Sequence, residues 1–145
     1  MSGSIEFKEN EIPNKKDFFS LFESTGWNDE YGLSGEELLE CLSKSWYMVS
    51  AFDENKLVGF GRVISDGKLH ALITEMIVLP VYQGQGIGKK ILDLLTRQCQ
   101  SKGIRDIQLF SAKGKAGFYE KYGFTRRSES GPGMELKFKP GKNCE

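Results

Sequence analysis

The stretch LHALITEMIVL, residues 69–79, carries apolar side chains on both alternating faces of a period-two pattern. A strand with no polar face needs cover above and below, so it belongs in the middle of a sheet flanked by helices. Pro80 ends it, because proline cannot donate to a ladder. VYQGQGIGKK follows at residues 81–90, with Gly84, Gly86 and Gly88 at alternate positions. Glycine loses the most backbone freedom on ordering, so this spacing marks a sharp bend or a close approach to another molecule. Beyond it, Ile87, Ile91, Leu94, Leu95 and Cys99 fall on one helical face up to about Ser101, and Gly103 closes the helix.

The remaining elements read around that unit. SIEFKEN predicts a first strand, and PNKKDFFSLFEST a helix with Phe18, Leu21 and Phe22 inward, stopped by Gly26. WNDEYG reads as a polar, aromatic loop. Ser34 and Glu37 form a capping box that opens a second helix with Leu38, Leu39 and Leu42 inward. WYMVSAFD and KLVGFGRVIS, separated only by Glu54 and Asn55, predict a tight antiparallel hairpin. DIQLF predicts a strand and GKAGFYEKYGF a short helix ended by Gly123. Two last strands are expected at Phe124 to Arg127 and Met134 to Phe138, around SESGPG. The order is that of an α/β fold: a mixed β-sheet of about six to seven strands flanked by about four helices. One domain is expected over residues 1–145, with 139–145 a flexible tail.

Composition excludes several classes. The chain has 20 Lys plus Arg against 20 Asp plus Glu, which leaves no basic field for nucleic acid or an anionic membrane. No apolar run approaches the roughly 18 residues of a membrane span. MSGSIEFKEN lacks the pattern of a secretory leader. Cys41, Cys99 and Cys144 make no C-x-x-C pair, and with His70 as the only histidine no metal site is expected. Reduced thiols in the cytoplasm are the expectation.

What the glycines face is narrowed by two failed matches. A P-loop would need glycine where Gln83 stands and Ser or Thr where Lys90 stands, and the dinucleotide fingerprint would need glycine at Lys89. Even so, a turn between a strand end and a helix start points unpaired N–H groups outward at the positive end of a helix dipole. Lys89 and Lys90 add charge there, so an anion and a plain glycine-rich turn both stay open.

ITEMIVLPVYQGQGIGKKILDLL resembles the acyl-CoA-binding signature of the GNAT superfamily of N-acetyltransferases, through Val78, Pro80, Gln83, Gly86 and Gly88. About thirty residues on, GFYEKYGF is similar to the family's second signature. The resemblance covers nearly the whole chain and implies a GNAT-like mixed sheet and acetyl-CoA as co-substrate. It implies that the amides of Gln83, Gly84, Gln85, Gly86, Ile87, Gly88 and Lys89 hold the CoA diphosphate. Ile77, Val78 and Leu79 would end a strand that parts from its neighbour and pairs with the pantetheine arm, whose amides mimic peptide bonds. One departure is Ala112, where many members carry asparagine; Lys113 or Lys115 would then contribute contacts.

The resemblance also places the chemistry. Tyr119 occupies the position whose phenol protonates the departing CoA sulfur and touches the cofactor, while a core aromatic is its bland reading. Without a bulge, Glu75 would share a face with Ile73 and Ile77, a strange place for a carboxylate. It is a candidate general base, an amine binder, or a group satisfied by hydrogen bonds alone. No cysteine pairs with a histidine, so direct attack by the amine is expected. The acceptor is expected near GWNDEYGLSGEE, where Trp27, Glu30 and Tyr31 are the candidates, with Asp29, Glu36 and Glu37 alongside; a solvated acidic surface is the alternative. A small-molecule primary amine is the first expectation, with a protein amine or a non-catalytic acyl-CoA sensor as alternatives. Many relatives pair, so a homodimer is an option.

Overall fold

A computed structural model describes residues 4–138. The chain divides into two compact units, Met1–Leu109 and Phe110–Glu145. The first holds β1 (Ile5–Glu9), α1 (Lys15–Glu23), α2 (Asn28–Tyr31), α3 (Gly35–Ser43), β2 (Tyr47–Asp53), β3 (Lys56–Ser65), β4 (His70–Val78), a 3-10 turn (Pro80–Tyr82), α4 (Ile87–Ser101) and β5 (Asp106–Leu109). The second holds α5 (Ala116–Glu120). The five strands lie in chain order, β1-β2-β3-β4-β5, antiparallel as far as β4. The β4–β5 pair is parallel and α4 makes its crossover.

Local chemistry explains the boundaries. The Asn14 side chain accepts from the amides of Lys16 at 2.9 Å and Asp17 at 3.2 Å and so opens α1. The Ser34–Glu37 capping box forms at α3, with bonds of 3.1 and 2.9 Å. Glu54 turns the β2–β3 hairpin at φ 56, and Asp53 pairs with Lys56.

The sheet is covered on both faces by different glues. Phe60 of β3 meets Phe18 of α1 edge-on at 4.8 Å, in a cluster with Leu21, Phe22, Leu38, Leu42 and Ile77. Gly59 and Gly61 alternate with Phe60 and so face the other way. A Cβ on Gly61 would lie 2.9 Å from Ile91 and 3.0 Å from Leu95, both in α4. These two glycines let α4 settle directly on the strand. Along α4 the buried residues are Ile87, Ile91, Leu92, Leu95 and Cys99; Leu92 takes the inward place expected of Leu94.

Two expectations are corrected. Five strands stand where six to seven were expected: among the described residues, 124–127 and 134–138 join no ladder. Met134, Leu136 and Phe138 keep a strand's alternation yet are 86%, 99% and 67% exposed, because side-chain period without a partner strand does not make a sheet. Among the described residues five α-helices stand where about four were expected, since WNDEYG closes into the one-turn helix α2. Its buried Asn28 holds the Leu33 N–H and C=O at 2.9 Å each, and Gly32 ends it at φ 63. The tail expected over 139–145 lies outside the described residues. No helix among those described is long and apolar enough to cross a membrane.

Candidate active site

β4 carries the central irregularity of the sheet. Phe60 pairs with Ile77 and Arg62 with Thr74, so Glu75 and Met76 together stand opposite Gly61. This is a bulge, and Glu75 adopts φ 50, unusual for a residue with a side chain. Glu75 therefore does not share one apolar face with Ile73 and Ile77. Ile73 pairs with Val63 and Ile77 with Phe60; those partners are three apart, so the two isoleucines point to opposite layers. The Glu75 carboxylate lies 2.6 Å from the Nε of Arg62 and accepts the Thr74 hydroxyl at 3.1 Å. Arg62 also donates to the Cys41 carbonyl at 3.1 Å and to the Ser45 hydroxyl at 3.2 Å. Nothing in the sequence pattern pointed to Arg62; only the strand register reveals it.

Beyond the bulge one edge of β4 is open. Pairing with β5 stops at Ile73 and Leu109, so Thr74 to Val78 have no strand partner on that side among the described residues. The Leu79 N–H donates to the Val58 carbonyl at 2.9 Å. Alternation along an antiparallel ladder then directs Ile77 toward β3 as well and turns the backbone groups of Met76 and Val78 to the free edge. Of the three residues expected there, Val78 alone faces outward, joined by the unexpected Met76. The Gln83 side chain closes over this end, donating to the Val78 carbonyl at 2.9 Å.

The glycine turn follows. Gly84 and Gly86 take φ values of 80 and 85, which explains their residue type. A Cβ at either would meet nothing within 4 Å, so these glycines border open space rather than packing. Among the described residues the amides of Gly84, Gln85, Gly86, Ile87 and Gly88 have no hydrogen-bond partner. They surround the N-terminus of the 15-residue α4, where the dipole adds positive potential. Lys89 sits 3.1 Å from Asp93 one turn on. Unpartnered N–H groups, a positive helix end and absent side-chain bulk together fit a phosphate-sized anion.

The other candidates are distributed over both units. On the first, Trp27 is 38% and Tyr31 53% exposed, the former edge-on to Phe22 at 6.0 Å. Glu30 is exposed beside them. His70 pairs with Asp106 at 3.2 Å. On the second unit, Tyr119 of α5 packs edge-on against Phe118 at 5.1 Å and Phe124 at 6.1 Å. Burial pushes its phenol above the ordinary tyrosine range, which holds it in the protonated form. Ala112 accepts the Lys115 amide at 3.0 Å in the turn before α5. Among the described residues, no group of three His, Cys, Asp or Glu side chains is placed to hold a metal.

Residues 44–126 match the acetyltransferase (GNAT) domain family, a span running from the end of α3 past α5. The chain is 32% identical over 136 residues to an uncharacterized N-acetyltransferase, ycf52, of Pyropia yezoensis, covering 90% of this chain and 78% of that one. A GNAT-family acetyltransferase from Streptococcus pneumoniae has a similar structure, with a TM-score of 0.77, 27% identity, and coverage of 94% of this chain and 99% of that one. The PaiA N-acetyltransferase of Thermoplasma acidophilum, solved in complex with coenzyme A, shares the fold at a TM-score of 0.69 and 22% identity, over 86% and 92% of the two chains. With a family match over more than half its length and a relative aligned over nine-tenths of it, the chain belongs to the GNAT superfamily of acyl-CoA-dependent N-acetyltransferases.

Proposed function

We propose that residues 1–145 act as one transferase domain that moves an acetyl group from acetyl-CoA to a primary amine of a small molecule, by direct amine attack. The observation that carries this reading is the run of unpartnered amides from Gly84 to Gly88 at the head of α4, with open space over Gly84 and Gly86. Amides from Gly84 to Lys89 grip the diphosphate of CoA, the expected Gln83 amide being held instead by the Pro80 carbonyl at 3.2 Å, and the free β4 edge at Met76 and Val78 pairs with the pantetheine amides. A family match that runs on past α5 supports treating both units as one functional domain.

On this reading Tyr119 gives its proton to the departing sulfur; a phenol kept protonated by burial is ready for that task. Glu75 acts on the amine side, taking its proton or orienting the ammonium. Trp27, Glu30 and Tyr31 receive the acceptor by ring-face and charge contacts. A reducing compartment such as the cytoplasm remains the proposed location, from the lack of any paired-cysteine motif in the sequence.

Calorimetry with CoA and acetyl-CoA tests the first half, and thiol release with polyamines, aminoglycosides, arylalkylamines and lysine peptides tests the second. Absence of heat at millimolar ligand refutes the whole reading. Tight binding without release on any amine replaces the transferase with a non-catalytic acyl-CoA sensor. Release with lysine peptides alone moves the acceptor to protein.

A further inference from the structure

We infer that Arg62 is a positioning residue that sets the carboxylate of Glu75, an inference resting on the amine-side role given to Glu75 above. Arg62 pairs with Thr74, the last regular residue before the bulge, so its side chain emerges beside the irregular turn of β4. Its Nε meets one carboxylate oxygen of Glu75 at 2.6 Å, while the Thr74 hydroxyl meets the other at 3.1 Å. Each oxygen thus has a fixed donor. The side chains of Arg62 and Glu75 are 12% and 23% exposed, so water competes weakly for these contacts.

The opposite end of the guanidinium is fastened as well. Nη1 donates to the Cys41 carbonyl and to the Ser45 hydroxyl. Cys41 lies in the last turn of α3, where the dipole is negative and its carbonyl accepts the Lys44 amide at 3.1 Å as well as the guanidinium. A pair formed only to balance charge would not need this second attachment. Arg62 joins two elements: the end of a helix in the α1–α3 layer and a carboxylate on strained backbone at φ 50. A rigid planar fork can address both at once, and a lysine ammonium cannot match both directions. Glu75 is therefore held at a fixed distance from α3, and its aim does not depend on the bulge alone.

The test compares wild type, Arg62→Met, Arg62→Lys, Glu75→Gln and the double variant Arg62→Met with Glu75→Gln, using denaturant melts, CoA calorimetry and steady-state kinetics with the best amine. A misaimed catalytic group costs on the order of 100-fold, so Arg62→Met is expected to lose about that much kcat with CoA affinity preserved. Arg62→Lys is expected to restore only a minor part. The double variant is expected to be no slower than Glu75→Gln, because a residue acting through another adds nothing once that other is gone. Wild-type turnover in folded Arg62→Met, losses that multiply in the double variant, or full activity in Glu75→Gln would each overturn the inference. If Arg62→Met does not fold, Arg62→Lys alone and combined with Glu75→Gln is judged by the same rule. If wild type transfers acetyl to no amine, the functional reading fails by itself, and the carboxyl carbon resonance of Glu75 decides the positioning: displacement in Arg62→Lys supports it, an unmoved signal refutes it.

Discussion

Gly86→Ala separates the conformational cost of the glycine turn from its ligand. Gly86 holds φ 85 and ψ 6 at the head of α4, and an added methyl group would meet nothing within 4 Å. The folded chain then bears only the strain of a side chain in the left-handed region, about 1–2 kcal/mol. For a chain of this size that corresponds to a fall in Tm of roughly 2–8 °C. Gly26→Ala is the matched control: φ 79, the same open space, in the turn after α1. If phosphate oxygens rest on these amides, the new methyl stands where they approach and displaces at least one contact. A hydrogen bond to a charged group contributes about 1.5–3 kcal/mol, so CoA affinity should fall about 10- to 150-fold. Melts and calorimetry on the three proteins give both numbers. Equal CoA affinity in all three would refute the anion site, whatever the melts show.

Further outcomes are expected elsewhere. Tyr119→Phe should lower kcat by about 100-fold or more while CoA affinity stays put. Because the phenol lies above its ordinary 10.0, the wild-type rate should persist past pH 10 and be lost as pH rises through the elevated value. That alkaline limb should vanish in the variant, and a retained limb would assign it to another group. Asn28→Ala removes the bracket on Leu33, so it should cost about 1–3 kcal/mol and raise the KM of the amine with CoA affinity unaltered. An unchanged amine KM would detach α2 from the acceptor. Ser50 is 1% exposed and its hydroxyl has no partner among the described residues. Ser50→Ala should therefore raise stability by about 1 kcal/mol in urea melts, and a loss would reveal an unrecognised bond.

Much of this molecule was legible because local signals agreed with the tertiary outcome. The inward faces of α1 and α3, the Ser34–Glu37 box and the Glu54–Asn55 turn all depend on neighbours within a few residues. The glycine turn was legible for the same reason. What escaped depended on distant partners. A bulge is a mismatch between two strands, and β4 alone cannot display it. Arg62 looked like one basic residue in a hairpin until the register placed it against Thr74. The direction of each amide at Ile77, Val78 and Leu79 likewise follows from the ladder with β3. MELKF had the opposite fault: a clear alternating pattern whose fulfilment requires a partner that a pattern does not specify.

The extra residue in β4 has an effect beyond the carboxylate it carries. It shifts the phase of the strand midway, so the first half presents Ile73 to α4 and the second half presents Ile77 to the cluster of Phe18 and Phe60. Deleting Glu75 or Met76 would leave Ile73 and Ile77 three apart on a regular ribbon, each still in its own layer. The two layers thus do not require the extra residue, and what it secures is the unusual backbone of Glu75 at φ 50, the one thing a shortened strand would lose.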